Sequence, residues 1–350
     1  MTSPTDRCVV VDDVAAVATC LRDRPGRVRL RGGGSRQDRL AAAGDATVLD
    51  LSRLASIVRL DGPDQTCTVE CGVRREHLDQ ELAPHGLELP CVGGGTLGGL
   101  FASDPIGAST FGGPSPRSLL LGMDAVLADG TPFRSGARVV KSVAGFDVHK
   151  LLVGSEGRLF VATRLHLRLK PAPRTSQWFA MPGLDDARAL ALVQTLQQEP
   201  VAPTRLQVRR AGTGDCTVQG RVAGRAAFVL DLLRRHGLRE CAPCGLDHLP
   251  APTGGEVVAG ITLSSALPDL WRLLPPQADL LWHAGGRYEV ALPTPVATDD
   301  LLRALAARGD HAILVHGDSA RRGRLTPHDP GHQRIHTGLK ATLDPHGRLV

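Results

Sequence analysis

Gly93-Gly94-Gly95-Thr96-Leu97-Gly98-Gly99 is the stretch on which the reading of this chain turns. Five glycines in seven residues are out of place inside a helix or strand, where each costs about 1 kcal/mol relative to alanine. Such a run belongs where bare backbone comes very close to something. A second cluster, Arg31-Gly32-Gly33-Gly34-Ser35, lies upstream, and a glycine-punctuated segment from Val139 to Gly157 lies downstream. Three such segments in one half of a chain point to a large phosphate-bearing ligand wrapped by backbone N–H groups.

With 350 residues the chain has room for two domains. A hydrophobic content of 42% with mixed charge describes an ordinary soluble globular protein. The net charge of +5 comes almost wholly from arginine, because the only lysines are Lys141, Lys150, Lys170 and Lys340. The arginines are spread evenly and aromatics make up 3%, which argues against a nucleic-acid surface. Residues 1–11 lack the basic-then-apolar pattern of a signal peptide. No stretch approaches the roughly 20 apolar residues of a membrane-spanning helix. The eight cysteines are scattered and read as reduced thiols. The expected location is the cytoplasm.

Outward from the glycines, Asp12 and Asp13 can cap a helix whose Val14, Val17, Ala18 and Leu21 follow an i, i+3, i+4, i+7 pattern. Residues 27–31 and 48–51 read as short strands, 66–71 as a strand after a turn at Gly62-Pro63, and 74–83 as a helix. A hairpin turns at Asp129-Gly130 between 119–128 and 131–140. Leu165, Leu167 and Leu169 alternate with Arg164, His166, Arg168 and Lys170, as in a half-solvated strand. Pro171-Ala172-Pro173 then marks a domain boundary. Beyond it, helices at 184–199, 225–236 and 298–308 alternate with strands at 205–210, 256–264, 287–292 and 311–315. This βαββαβ-like order predicts helices on one antiparallel sheet. Residues 321–337 read as a loop.

Gly93, Gly95 and Gly98 match G-x-G-x-x-G literally, but the pattern should follow a strand, open a helix and meet an acid about 20 residues later. Here 87–90 is a poor strand, Pro105 interrupts any helix, and the position twenty past Gly98 is Ser118. No lysine follows a glycine, so a Walker-type phosphate loop is absent. A cofactor held by loops from several strands remains.

These segments resemble those of the flavoproteins with a PCMH-type FAD-binding domain, the vanillyl-alcohol oxidase family. Arg31-Gly32-Gly33-Gly34-Ser35 is similar to their pyrophosphate loop, and Pro90 through Ala102 to their second flavin segment. Residues 138–157, with Lys141-Ser142-Val143-Ala144-Gly145-Phe146-Asp147 and Gly154-Ser155-Glu156-Gly157, give the most specific match. They resemble the branch with glycolate oxidase and D-lactate dehydrogenase-type enzymes. Length, the short second domain and the tail Gly338-Leu339-Lys340-Ala341-Thr342-Leu343-Asp344-Pro345 are similar to the FAD-binding subunits of glycolate oxidases.

The resemblance implies an α+β fold. A two-subdomain PCMH-type FAD-binding domain would span 1–172, a smaller α+β cap for substrate 173–325, and a tail, 326–350, would pack back on the FAD domain. It implies FAD contacts at Gly32, Gly33, Gly34, Ser35, Pro90, Gly95, Thr96, Gly98, Gly99, Ala102, Lys141, Gly145, Glu156, Gly157 and Val161. Covalent members carry histidine where Ser35 stands, so FAD here is expected to be non-covalent. The implied activity is oxidation of a small 2-hydroxy acid such as glycolate, with electrons leaving through partners: a second flavin subunit and an iron–sulfur subunit. Arg287, His316 and His336 are candidates by residue type for a carboxylate clamp and base, without a firm assignment of catalytic residues. Ser118 in place of an aspartate, Phe160 in place of a glycine, and an end at Val350 favour a second reading, a catalytically silent structural or electron-relay subunit. Phe160 is expected to bring a ring close to flavin or adenine.

His236, Cys241, Cys244 and His248 include a C-x-x-C pair, but a single pair among Pro/Gly-rich turns reads as loop thiols, not a metal site. His328, His332 and His336 are spaced by four, but Pro330-Gly331 is expected to break the helix that would align them.

Overall fold

The computed structural model describes residues 8–35, 44–91, 93–103, 113–137, 146–242, 249–250, 252–275, 277–310, 312–318 and 330–350. Asp13 accepts the Ala16 N–H at 2.7 Å and starts α1 (Val14–Asp23), which buries Val17, Ala18 and Leu21. This helix covers a small parallel sheet of β1 (Cys8–Val10), β3 (Thr47–Asp50) and β2 (Val28–Arg31), in that order. Its core joins Val17, Leu21, Val28 and Leu49 to Leu349 from the far end of the chain.

The next sheet is antiparallel, in the order β4 (Ile57–Asp61), β5 (Thr66–Glu70), β9 (Val161–Arg168), β7 (Leu120–Val126) and β8 (Pro132–Gly136). The expected hairpin forms β7 and β8, its turn closed by Asp129 accepting from the Thr131 N–H at 2.8 Å. The side of β9 with Leu165 and Leu167 packs into a core with α2 (Arg75–Leu82) and α3 (Leu97–Ser103). The opposite side is less solvated than its alternation predicts. His166 is buried against Thr68, whose Oγ1 lies 3.0 Å from Nδ1, because β9 is the central strand and neighbours cover it from both sides. A two-residue strand, β6 (Leu87–Glu88), pairs with β10 (Lys170–Pro171), and the short helix α4 (Pro116–Leu119) precedes β7.

The second half builds an eight-stranded antiparallel sheet from two βαββαβ units. The first contains β11 (Thr175–Leu184), α5 (Asp186–Gln197), β12 (Arg205–Arg210), β13 (Cys216–Gly224), α6 (Ala226–Arg235) and β14 (Arg239–Cys241). The second contains β15 (Glu256–Ile261), α7 (Leu267–Leu273), β16 (Asp279–His283), β17 (Arg287–Leu292), α8 (Pro295–Ala307) and β18 (Ala312–His316). The order β14-β11-β13-β12-β16-β17-β15-β18 makes one unit the mirror in order of the other, joined through β12 and β16. One βαββαβ-like alternation is visible in the sequence; β11, β13, β14 and β16 complete the doubled sheet. Gly220 in β13 explains why that strand is hard to read: a Cβ there would meet the Arg205 carbonyl at 2.3 Å and the Phe179 ring at 2.8 Å. The apolar core lies on the helix side, with Leu206, Val208, Val218, Trp282, Tyr288 and Val290.

Residues 330–337 are not the expected loop. They belong to α9 (Pro330–Leu343). Proline fits the first turn of a helix, where its missing N–H leaves no bond unmade, so Pro330 starts the helix. His336 therefore stands exposed on this helix; His328 lies outside the described residues.

Candidate FAD site

The three glycine segments meet at the end of the small parallel sheet. At the tip of β2, Arg31 donates from Nε and Nη2 to Asp50 at 3.0 and 2.7 Å. Burial works against the Asp50 charge, but hydrogen bonds from Ser52 and Arg31 outweigh it and hold the carboxyl below its ordinary range. The chain then enters the loop Gly32-Gly33-Gly34-Ser35, whose last three residues are exposed. The Gly33 N–H points to Thr96 Oγ1 at 3.4 Å, joining the first segment to the second. A Cβ on Gly32 would stand 2.3 Å from that same oxygen, so glycine is what lets the two segments close. The third segment closes on both others. Glu156 donates its N–H to the Ala102 carbonyl at 2.9 Å, and Gly157 packs against Leu30 of β2.

Two arginines outside the predicted set stand at this assembly, and Arg75 holds it. Arg75 donates to the carbonyls of Leu89 and Cys91 at 2.8 and 2.7 Å and to Asp79 at 2.8 Å. Its own N–H bonds the Gly95 carbonyl at 2.9 Å. It therefore fixes both sides of half-buried Pro90 and the turn of Gly95, whose φ is 84°. Arg74, exposed beside it, carries its guanidinium 3.7 to 3.8 Å from where a Gly33 Cβ would be. The only sequence signal for the pair was their place between a strand ending at Gly72 and the central glycines.

Other predicted residues have different duties. Gly98 and Gly99 lie inside α3, contrary to the expectation that so many glycines exclude a helix. Gly98 is small because a Cβ would stand 2.7 Å from the Cys71 Cβ and 3.0 Å from its carbonyl. The first N–H groups of α3 are also taken: Leu97 donates to Val73 and Gly98 to Cys71, both at 2.8 Å. These amides are spent on the segment that follows β5 instead of being presented to a ligand. Val161 is fully buried with Val126 and Leu349. Phe160 does not reach into a cofactor cleft. It is 1% exposed just ahead of β9, packed in the core with Leu119 and Leu165, and meets Phe133 edge-on at 5.5 Å between centroids. Ser118 bonds locally to Ser115, the cap of α4, its hydroxyl donating to the Ser115 carbonyl at 2.8 Å. Lys141 and Gly145 lie outside the described residues.

Ahead of the Glu156-Gly157 turn the third segment is anchored by buried His149 and half-buried Lys150. The His149 N–H donates to Ser135 Oγ at 3.0 Å, and its Nδ1 lies 3.1 Å from the same oxygen. Burial, with Lys150 adjacent, pushes the imidazole below its ordinary value. Lys150 donates to the carbonyls of Arg117, at 2.7 Å, and Leu120, and burial lowers its pKa as well.

Residues 7–136 match the family described as FAD binding domain. The chain carries a PCMH-type FAD-binding domain. D-lactate dehydrogenase of Archaeoglobus fulgidus is 27% identical over 209 residues, 58% of this chain and 47% of that protein. The mitochondrial D-lactate dehydrogenase [cytochrome] 1 of Saccharomyces cerevisiae is 32% identical over 42% of this chain and 26% of its own length. Glycolate oxidase subunit GlcD of Bacillus subtilis is 31% identical over 37% of this chain and 28% of its own. The alignments thus span less than half the length of each of these relatives. An alkyldihydroxyacetonephosphate synthase structure superposes on 97% of this chain and 74% of its own at a TM-score of 0.71 and 15% identity, which shows a shared fold.

The residues of the FAD domain fit the cofactor. Bare backbone at Gly33 and Gly34, with φ of 76° at Gly34, and the Arg74 cation beside it suit a pyrophosphate. The helix-free face of the second-half sheet turns toward the Pro90 segment. Burial raises the Glu88 carboxyl above its ordinary value although Arg221, Arg75 and Arg205 oppose the shift. Along that face Gln219, Gln207 and His283 stand in register across β13, β12 and β16, exposed by 7%, 4% and 0%. Arg287, the expected carboxylate clamp, bonds Glu289 at 3.3 Å, so a fully buried carboxylate already offsets its charge. His316 ends β18, and neither it nor His336 shares a strand with this row.

In the metal candidate, His236 Nε2 lies 2.5 Å from Glu199, which also binds Arg235. Cys241 pairs in the sheet opposite Trp178, and Cys244 and His248 lie outside the described residues.

Proposed function

We propose that this chain is an FAD-dependent oxidoreductase, of the type of a glycolate oxidase FAD-binding subunit, that oxidises a small 2-hydroxy acid and passes the electrons to a partner subunit. The observation that carries this reading is the closure of three distant glycine segments into one cradle through Gly33–Thr96, Glu156–Ala102 and Gly157–Leu30 contacts. FAD bound there supplies hydride acceptance from an alcohol carbon. With serine at position 35, binding is non-covalent. Gln207, Gln219 and His283 supply donors and acceptors for a hydroxy acid on the cap face, and the sheet that holds them excludes water. Domain limits of 1–172, 173–325 and 326–350 organise this reading, with a second flavin subunit and an iron–sulfur subunit as electron partners in the cytoplasm.

Arg287 favours a second reading, since the charge expected to clamp a hydroxy-acid carboxylate is already paired with Glu289. In that case the chain binds FAD as a relay or structural subunit and partners carry the substrate. Dye reduction by glycolate, D-lactate and 2-hydroxyglutarate, with the purified chain and with the reconstituted complex, separates the two. Turnover by the chain alone that falls at least tenfold in His283→Gln supports the oxidase. Turnover only in the complex, unaffected by His283→Gln, supports the relay.

A further inference from the structure

The end of the chain is built into the back of the FAD cradle through one ammonium group. Lys340, in the last turns of α9, has three N–H donors and uses all three. It bonds the Arg158 carbonyl at 2.5 Å, Asp344 Oδ2 at 2.6 Å and the Leu349 carbonyl at 2.7 Å. Each acceptor is itself fixed. Asp344 is 1% exposed and also accepts the N–H groups of Arg348 and Leu349 at 3.0 and 2.8 Å. Leu349 runs beside Val28 as an added parallel bridge: the Val28 N–H donates to Arg348 at 2.7 Å and the Val350 N–H to Val28 at 3.0 Å.

The two ends of this chain of bonds are the two halves of the cradle. Val28 begins β2, which delivers the loop from Gly32 to Ser35. Arg158 closes the Glu156-Gly157 turn, whose glycine lies against Leu30 of that same strand. A lysine that merely tethered a C-terminus would need Asp344 alone. The third bond, to Arg158, reaches the cofactor turn.

We propose that Lys340 is a positioning residue for FAD. It sets the spacing between the glycine loop and the Glu156-Gly157 turn without touching the cofactor. Because coupling is reciprocal, FAD must in turn stiffen the last residues of the chain. This inference rests on FAD binding by the first domain.

The test titrates the apo full-length chain, Lys340→Met and Lys340→Arg with FAD, following flavin fluorescence and the fine structure of its absorbance, and records thermal unfolding with and without FAD. The expected result is a Kd roughly tenfold or more higher in Lys340→Met, with blurred flavin fine structure and partial recovery in Lys340→Arg. The increase in Tm produced by FAD shrinks correspondingly. A Lys340→Met chain that binds FAD like the parent overturns the proposal, even if its apo Tm drops. Hydrogen exchange in the parent chain gives an independent measurement if Lys340→Met does not fold. FAD should slow exchange at Leu349 and Val350 several-fold, and unchanged exchange there overturns the proposal. A parent chain that takes up no FAD removes the cofactor reading itself, and this proposal falls with it.

Discussion

The backbone N–H of Glu156 donates to the carbonyl of Ala102 at 2.9 Å, so the third glycine segment hangs on the helix that leaves the second. Glu156 makes this contact with φ of 51°, a conformation that costs a non-glycine residue on the order of 1 kcal/mol. Its carboxylate meets Arg158 at 2.9 Å across the same turn. The turn is held in place by contacts from elsewhere in the chain: Ala102 on one side, Leu30 below and Lys340 behind.

Gly32 and Thr96 share one volume. Gly32→Ala places its Cβ on Thr96 Oγ1 and should cost about 1–3 kcal/mol of stability and at least tenfold in FAD affinity. Thr96→Ala removes the colliding atoms, and the double variant should recover much of the loss. Isothermal titration of the four chains gives the coupling; strictly additive losses would show that the two residues do not share this volume.

Arg75 holds the Pro90 segment through two carbonyls. Arg75→Met should cost about 2 kcal/mol in urea unfolding, less than for a fully buried ion pair because Asp79 is partly solvated. FAD affinity should fall with it. Unchanged affinity with reduced stability would limit Arg75 to a structural role.

Phe160 is a core residue of the FAD domain. Phe160→Ala should destabilise the chain by about 3–5 kcal/mol in chemical denaturation. A variant with parent stability and stronger FAD binding would place the ring in the cofactor site after all.

His149 has a folded-state pKa below its unfolded value of about 6.5, owing first to burial. The unfolded chain therefore binds the proton more readily, so stability is complete above about pH 6.5 and is lost as the pH falls from there toward the folded pKa. Tm should drop between about pH 7 and 5, and His149→Gln should flatten that slope. Equal slopes in both chains would assign the acid sensitivity to other groups.

The sequence by itself determined most of the local structure. The Asp13 cap, the Asp129-Gly130 turn, the strands 205–210 and 287–292 and the glycine segments each follow from short-range chemistry: a side chain capping a helix, positive φ at a turn, a two-residue period. The resemblance in residues 138–157 added the cofactor. Tertiary structure decided which glycine serves which purpose. Gly32 makes room beside Thr96 and Gly98 makes room for Cys71, a distinction set by atoms from other segments. It also decided that Phe160 turns inward, that Arg287 is offset by Glu289, and that Lys340 reaches Arg158. Local pattern reports a residue's own backbone preference. Contacts between residues far apart in the chain exist only after the sheets have closed, and those contacts assign the side chains their work.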